Sequence, residues 1–150
     1  MRNTLFLPCC VASVLMIASL VFAGDTVELR IETVLASNTS PYFDTRLEDI
    51  RRQLGAFRYK SYRLVQEERR RVSWGTQADF ALPGGRMLQV VPKQFEDERI
   101  ALQVIIMEGT SPTPLMNTAL SIKNHGTLFF GGRRHQEGTL IIRIGAAAED

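Results

Sequence analysis

Cysteine is nearly absent from this 150-residue chain. Cys9 and Cys10 are the only two, and both fall inside the first apolar run. If that run is removed, what remains has no disulfide, no thiol nucleophile and no thiolate metal ligand. Histidine is equally scarce. His125 and His135 stand alone, without HxH, HxxxH or HExxH spacing, so a metal site would need a third ligand such as Asp79, Glu108 or Glu137. No GxSxG elbow and no G-x-x-x-x-G-K-[ST] loop occur, which removes the usual signatures of a serine hydrolase and of a nucleotide cradle. Charge of one sign is lacking too. Without Arg2 the balance is 17 basic against 16 acidic residues, too even to steer the whole molecule towards nucleic acid or acidic lipid. No repeat and no Gly/Ser/Pro linker interrupts the chain.

The long hydrophobic run at the start is what the chain does have. Residues 5–23, LFLPCCVASVLMIASLVFA, carry no charge, and Val21 and Ala23 occupy the −3 and −1 positions before Gly24. A basic start, an apolar middle and a small-residue end make a secretory signal. The alternative is an uncleaved anchor, since the run approaches the length of a membrane span. Cleavage leaves residues 24–150, enough for one core without staples. The sequence therefore predicts a signal peptide over 1–23, a single β-rich domain over 24–145 and a frayed tail over 146–150, in an exported protein of the periplasm or the medium.

Beyond the signal, alternation dominates. In TVELRIET (26–33) Val27, Leu29 and Ile31 alternate with charged residues, the pattern of a half-buried strand. SPYFDTRLEDIRRQLGAF has an apolar stripe of Phe43, Leu47, Ile50 and Leu54. With Ser40 as cap, Pro41 as first helical residue and Gly55 as stop, it predicts one amphipathic helix over 41–54. The rest reads as strands: 59–68, 69–75, 76–82 and 86–94 across PGG, 98–108, 115–123, then TLFFGG and TLIIRIG around the loop GGRRHQEG. Ile100, Leu102, Val104 and Ile106 form one face of 98–108, and Ala101, Ile105 and Met107 make the other partly apolar, as in a strand covered on both sides. The expected fold is mainly β: an antiparallel sandwich or barrel-like sheet of about 7–9 strands with one amphipathic helix.

Chemistry-bearing residues are few. GGRRHQEG combines glycines with Arg133, Arg134, His135 and Glu137, but a strand and not a helix follows it. That excludes a helix-terminus anion site and leaves a hairpin tip with solvated side chains. The carboxylates Glu67, Glu68, Glu96, Asp97, Glu98 and Glu108 supply acid pairs for glycoside chemistry, yet most sit in charged strand ends or turns. Arg69, Arg70 and Arg71 are the best basic feature. Lys60, Tyr62, Arg69, Arg71 and Trp74 are the candidate binding residues, because cations interleaved with aromatic rings hold anionic polymers. Glu67 and Glu68 beside them favour a charged edge strand instead.

Three stretches carry a resemblance. TVELRIETVLAS is similar to the opening strand of the pore domain of bacterial secretins, of the type V-E-x-x-I-x-E-V. LMNTALSIKNHGTLFFGG resembles the secretin stretch written D-G-x-T-L-V-I-G-G, matched here by Gly126, Thr127, Leu128, Gly131 and Gly132. TLIIRIG resembles a later apolar strand of that family. About 40 residues are involved. RRHQE replaces a far longer family segment, and the chain is too short for the usual periplasmic ring modules, so the resemblance implies no complete pore. It implies a small exported β-domain serving a secretion or pilus assembly.

The expected function is non-catalytic: an accessory or structural component of the cell envelope that binds a protein partner and needs no cofactor. Nucleic acid is not an expected partner, and membrane contact is expected only through a retained N-terminal segment. The competing readings are a small secreted hydrolase and a polyanion- or carbohydrate-binding module on the Arg69–Arg71 strand. Export with cleavage after Ala23 makes Gly24 the first residue of the mature chain. N-terminal sequencing of the exported protein checks this, and recovery of Met1 in a membrane fraction would identify an anchor.

Overall fold

The computed structural model describes residues 26–149, so the signal-like segment and its boundary at Gly24 lie outside the described residues. The strands are β1 (Thr26–Ser37), β2 (Tyr42–Phe43), β3 (Ser61–Ser73), β4 (Ala78–Leu82), β5 (Arg86–Glu96), β6 (Arg99–Glu108), β7 (Met116–Lys123), β8 (Gly126–His135) and β9 (Gly138–Ala148). They build two sheets. Sheet A has the order β2-β3-β1-β9-β8 and curls as a half-barrel; sheet B has the order β4-β5-β6-β7. All pairings are antiparallel except the two-residue β2 against β3. The mainly β, sandwich-like class read from the alternation is thus the observed one. The described residues include no cysteine, so apolar burial holds the sheets together.

Sheet A is covered on both faces, which explains why β1 is more apolar than a one-sided strand. Val27, Leu29 and Ile31 meet Phe80, Leu88, Ile100, Leu102 and Val104 of sheet B in the main core. On the opposite face Val34, Ala36, Leu64 and Ile141 pack under Leu47, Ile50 and Leu54 of the helical segment. Among the described residues sheet B has no such second cover. The outer-face residues of β6, Ala101, Ile105 and Met107, are half-buried, so the expectation of a strand enclosed on both sides holds only for its inner face.

The helix is shorter in regular structure and shifted from its expected span of 41–54. Tyr42–Phe43 is extended, because the Tyr42 and Asp44 amides donate to the Lys60 and Tyr62 carbonyls. Helical turns then run over Thr45–Ile50 (3₁₀), Arg51–Leu54 (α) and Gly55–Phe57 (3₁₀). Asp44, not Ser40, is the cap. Gly55 keeps right-handed helical angles, and the left-handed stop falls on Arg58, φ 59°.

Three other boundaries move. Residues 59–68 and 69–75 are not two strands: β3 runs through both, with Val65 as the extra residue of a bulge opposite β1. β8 continues through Arg133, Arg134 and His135, leaving Gln136 and Glu137 as the turn, so GGRRHQEG is not merely a hairpin tip. Residues 146–149 are not frayed either. Ala146 is buried in β9, the Glu149 amide donates to the Thr26 carbonyl, and its carboxylate binds Thr26 Oγ1 at 3.0 Å and Arg71 at 2.9 Å.

Asp44 ties the helical segment to sheet A. Its carboxylate accepts from the Arg46 amide (3.1 Å), the Arg46 guanidinium (2.9 and 2.7 Å) and the Leu64 amide (3.1 Å). The Arg46 side chain, helped by the two amides and opposed by burial, holds this carboxyl far below its ordinary pKa of 3.8. Asp44→Ala removes a cap and strands a buried amide, so it is expected to destabilise by about 2 kcal/mol in urea titrations at neutral pH. A lowered folded-state pKa contributes stability that is complete above the unfolded value and is lost as pH falls towards the folded one. The gap between wild type and variant should therefore persist at pH 5 and shrink below about 4.

Candidate functional site

β7 and β8 separate from the Asn124–His125 turn onto different sheets, and at the far end of both strands the gap becomes an apolar cleft of about 270 Å³. Its sheet A wall comprises Phe130 and Gly131 of β8, Leu140 and Ile142 of β9, and Thr33 of β1. Leu82, Ile106, Leu115 and Met116 face them from sheet B, with Arg86 and Arg133 also lining the cavity. On the opposite side of the sandwich the gap is closed: Gln66 Nε2 donates to the Ala81 carbonyl at 2.7 Å, and the Arg70 guanidinium covers the Phe80 ring at 4.9 Å.

A glycine bulge aims Arg133 into the cleft. Gly131 pairs with Ile141 and Arg133 with Leu140, so Gly132, at φ +119°, is the extra residue. Strict alternation from Phe130 would place 133 on the opposite face; the bulge resets the phase and brings Arg133 to the face of Phe130. Gly131 is needed for a second reason. A Cβ there would lie 2.8 Å from the Phe57 ring, which packs on the other side of sheet A. His135 reaches the β4–β5 turn, where a Cβ on Gly84 would sit 3.4 Å from its Nδ1.

Thr33 is the orphan polar group of the cleft; the other buried side-chain atoms without a hydrogen-bond partner among the described residues, Glu32 Oε1 and Arg143 Nε, lie on the outer face of sheet A. Thr33 shares the inward face of Val27, Leu29 and Ile31, is 1% exposed, and its Oγ1 has no hydrogen-bond partner. Buried polar atoms are normally paired, and an orphan costs about 1–3 kcal/mol. In the register Phe130–Ile142–Thr33 it lies two strand spacings, roughly 10 Å, inward from β8.

The residues singled out from sequence are not assembled. Tyr62 is buried, its hydroxyl donating to the Leu54 carbonyl at 2.7 Å and accepting from the Tyr59 amide at 3.0 Å. Trp74 packs against the main core beyond the other end of β3, roughly 40 Å of strand away. Lys60 is exposed just before β3. Arg69 and Arg71 point outward and are bound to Glu67 (3.1 Å) and Glu149 (2.9 Å), while Arg70 turns to the other face and binds Glu68. These residues form no stacking groove. His125 and His135 flank opposite ends of β8, and among the described residues no group of three His, Cys, Asp or Glu is placed to hold a metal ion. Sequence reasoning passed over Thr33 and Arg86. For Thr33 a signal existed: it is a polar residue at a core phase of the period-two pattern.

A second cluster lies on the outer face of sheet A. Glu32, 0% exposed, binds Arg143 across the β1–β9 pair at 2.6 Å and Arg30 at 2.5 Å. Arg143 also meets Asp49 of the helical segment at 3.0 Å, Arg30 meets Glu67 at 3.1 Å, and Glu67 meets Arg69. Three arginines face three carboxylates, so the ladder is internally neutral and offers no net charge to a ligand. Its chemistry is structural.

No family model matches the chain, and no curated protein or solved structure matches it either.

Arg143→Leu leaves Glu32 buried with Arg30 alone and should destabilise by about 3 kcal/mol or more in urea unfolding. The double variant Glu32→Leu/Arg143→Leu should recover a substantial part of that loss, because no unpaired buried charge remains.

Proposed function

We propose that this chain is an exported, non-catalytic binding domain, a periplasmic accessory or structural component of an envelope assembly that engages a protein partner by strand addition to β8. One observation carries the reading. Among the described residues β8 ends sheet A without an outer neighbour, and it bears no charged residue from Gly126 to Gly132. Unpaired edges are templates for another chain, and proteins that avoid such pairing place charges on them. β3 follows that rule: beyond its short contact with β2 it carries Glu67, Glu68, Arg69, Arg70 and Arg71. β8 does not. The similarity of its GTLFFGG to a secretin strand supports the same assignment to secretion or pilus machinery.

A photo-crosslinking residue at Thr127 should capture a discrete envelope protein in the intact host, and one at Arg69 should not. Thr127→Lys puts an edge charge on a half-buried position and should abolish capture by a crosslinker at the exposed Arg134 of the same strand, with the circular dichroism spectrum unchanged. Equal capture from Arg69 would move the interface to β3, and no adduct from Thr127 would refute strand addition to β8.

A further inference from the structure

We propose that the cleft between β7 and β8 is a binding site for a small apolar carboxylate, such as a medium-chain fatty acid. Three independent features of the cavity define this class. Ile106, Leu115, Met116 and Phe130 provide an apolar bed for a hydrocarbon body. The charge at the cavity is uneven: Arg86 is engaged by Glu108 at 3.3 Å, whereas Arg133, a solvent-exposed side chain that lines the cavity, makes no ion pair among the described residues. One uncompensated cation selects a monoanion over a neutral lipid or a polyanion. Thr33 lines the cavity, and its hydroxyl, buried and without a partner among the described residues, gains an acceptor when a carboxylate seats against it. A carboxylate provides acceptors for both the hydroxyl and the guanidinium, which a hydrocarbon cannot. The volume, about 270 Å³, lies just below the usual range of small-molecule sites, roughly 300–1,000 Å³, so a single short chain fits and a two-chain lipid does not.

The local structure is built for this purpose. The Gly132 bulge brings Arg133 to the inner face of β8, and the neighbouring contact of His135 with Gly84 joins the β8–β9 hairpin to sheet B beside the cavity. The site is separate from the outer edge of β8 that the partner reading uses, so the two stand or fall independently.

The test is a titration of the full chain with sodium octanoate, followed by amide chemical shifts. Saturable shifts should centre on Leu115, Met116, Phe130 and Ile142, and 1-octanol should bind at least fivefold more weakly. Arg133→Gln should weaken octanoate at least fivefold. Thr33→Val should weaken it several-fold while raising the melting temperature of the ligand-free protein, because it removes an unpaired buried hydroxyl at nearly constant volume. A general loss of fold cannot produce that opposed pair of changes. Thr127→Lys should leave octanoate binding intact. Equal affinity for octanol, unchanged affinity in Arg133→Gln, or shifts centred outside the cleft would each overturn the proposal, as would the absence of saturable binding.

Discussion

A carboxylate at zero exposure on the central strand of a sheet is the constraint on which this fold depends. Glu32 sits where β1 is covered by the helical segment on one face and backed by the inter-sheet core on the other. An isolated charge there is untenable, so its cation must be placed by the register itself. Arg143 is that cation, directly opposite on β9. Hydrophobic alternation excludes one-residue slips, because they turn every inward side chain outward. It does not exclude two-residue slips, which keep the faces. Here they fail electrostatically. One sets Arg143 beside Arg30 and Glu32 beside Ile141; the other sets Glu32 beside Gly145 and Arg143 beside Val34. The buried pair thus supplies a specificity that the apolar pattern lacks, whatever its net contribution to stability.

That register propagates. With β9 fixed against β1, the short turn at Gln136 and Glu137 fixes β8 against β9, and Arg133 comes opposite Leu140. The same arginine reaches Asp49, so the ion pair that aligns the strands also anchors the helical segment, while Asp44 holds its beginning to β3. The cleft wall and the helical cover therefore depend on one another through β1 and β9, although they lie on opposite faces of sheet A.

Much of this was legible from single residues. The period-two runs around Leu29, Leu102, Leu120 and Ile142 locate strands, and Leu47, Ile50 and Leu54 locate the helical segment. What stayed hidden depended on partners far along the chain. Ser40 and Pro41 have the composition of a helix start, but the Lys60 and Tyr62 carbonyls hold the following residues extended. AAAED has the composition of a tail, but Thr26 and Arg71 provide its end with partners. Lys60, Tyr62, Arg69, Arg71 and Trp74 are close in sequence, and one long extended strand is what separates them. GGRRHQEG has the composition of a turn. Its first two glycines in fact serve different faces of the sheet, one making room for Phe57 and the other shifting the phase of Arg133.

Local rules are broken at few places in this molecule, and two of the breaches share one cavity. A chain selected for stability alone would carry valine at 33, where a hydroxyl is buried without a partner. It would also leave β8 regular, so that Arg133 pointed away from the apolar gap. Neither departure is required by the other: one lies on the central strand and one on the edge, related only by the register through Ile142. Independent breaches of local consistency that converge in space are expected where function and not folding sets the residue. The charged ladder differs in kind: Arg143 Nε is buried without a partner there too, but the same guanidinium meets Glu32 and Asp49 through Nη1. The cleft keeps an unmatched cation and an unmatched hydroxyl on apolar walls, and the economical explanation for both is a third party that is apolar, small and anionic.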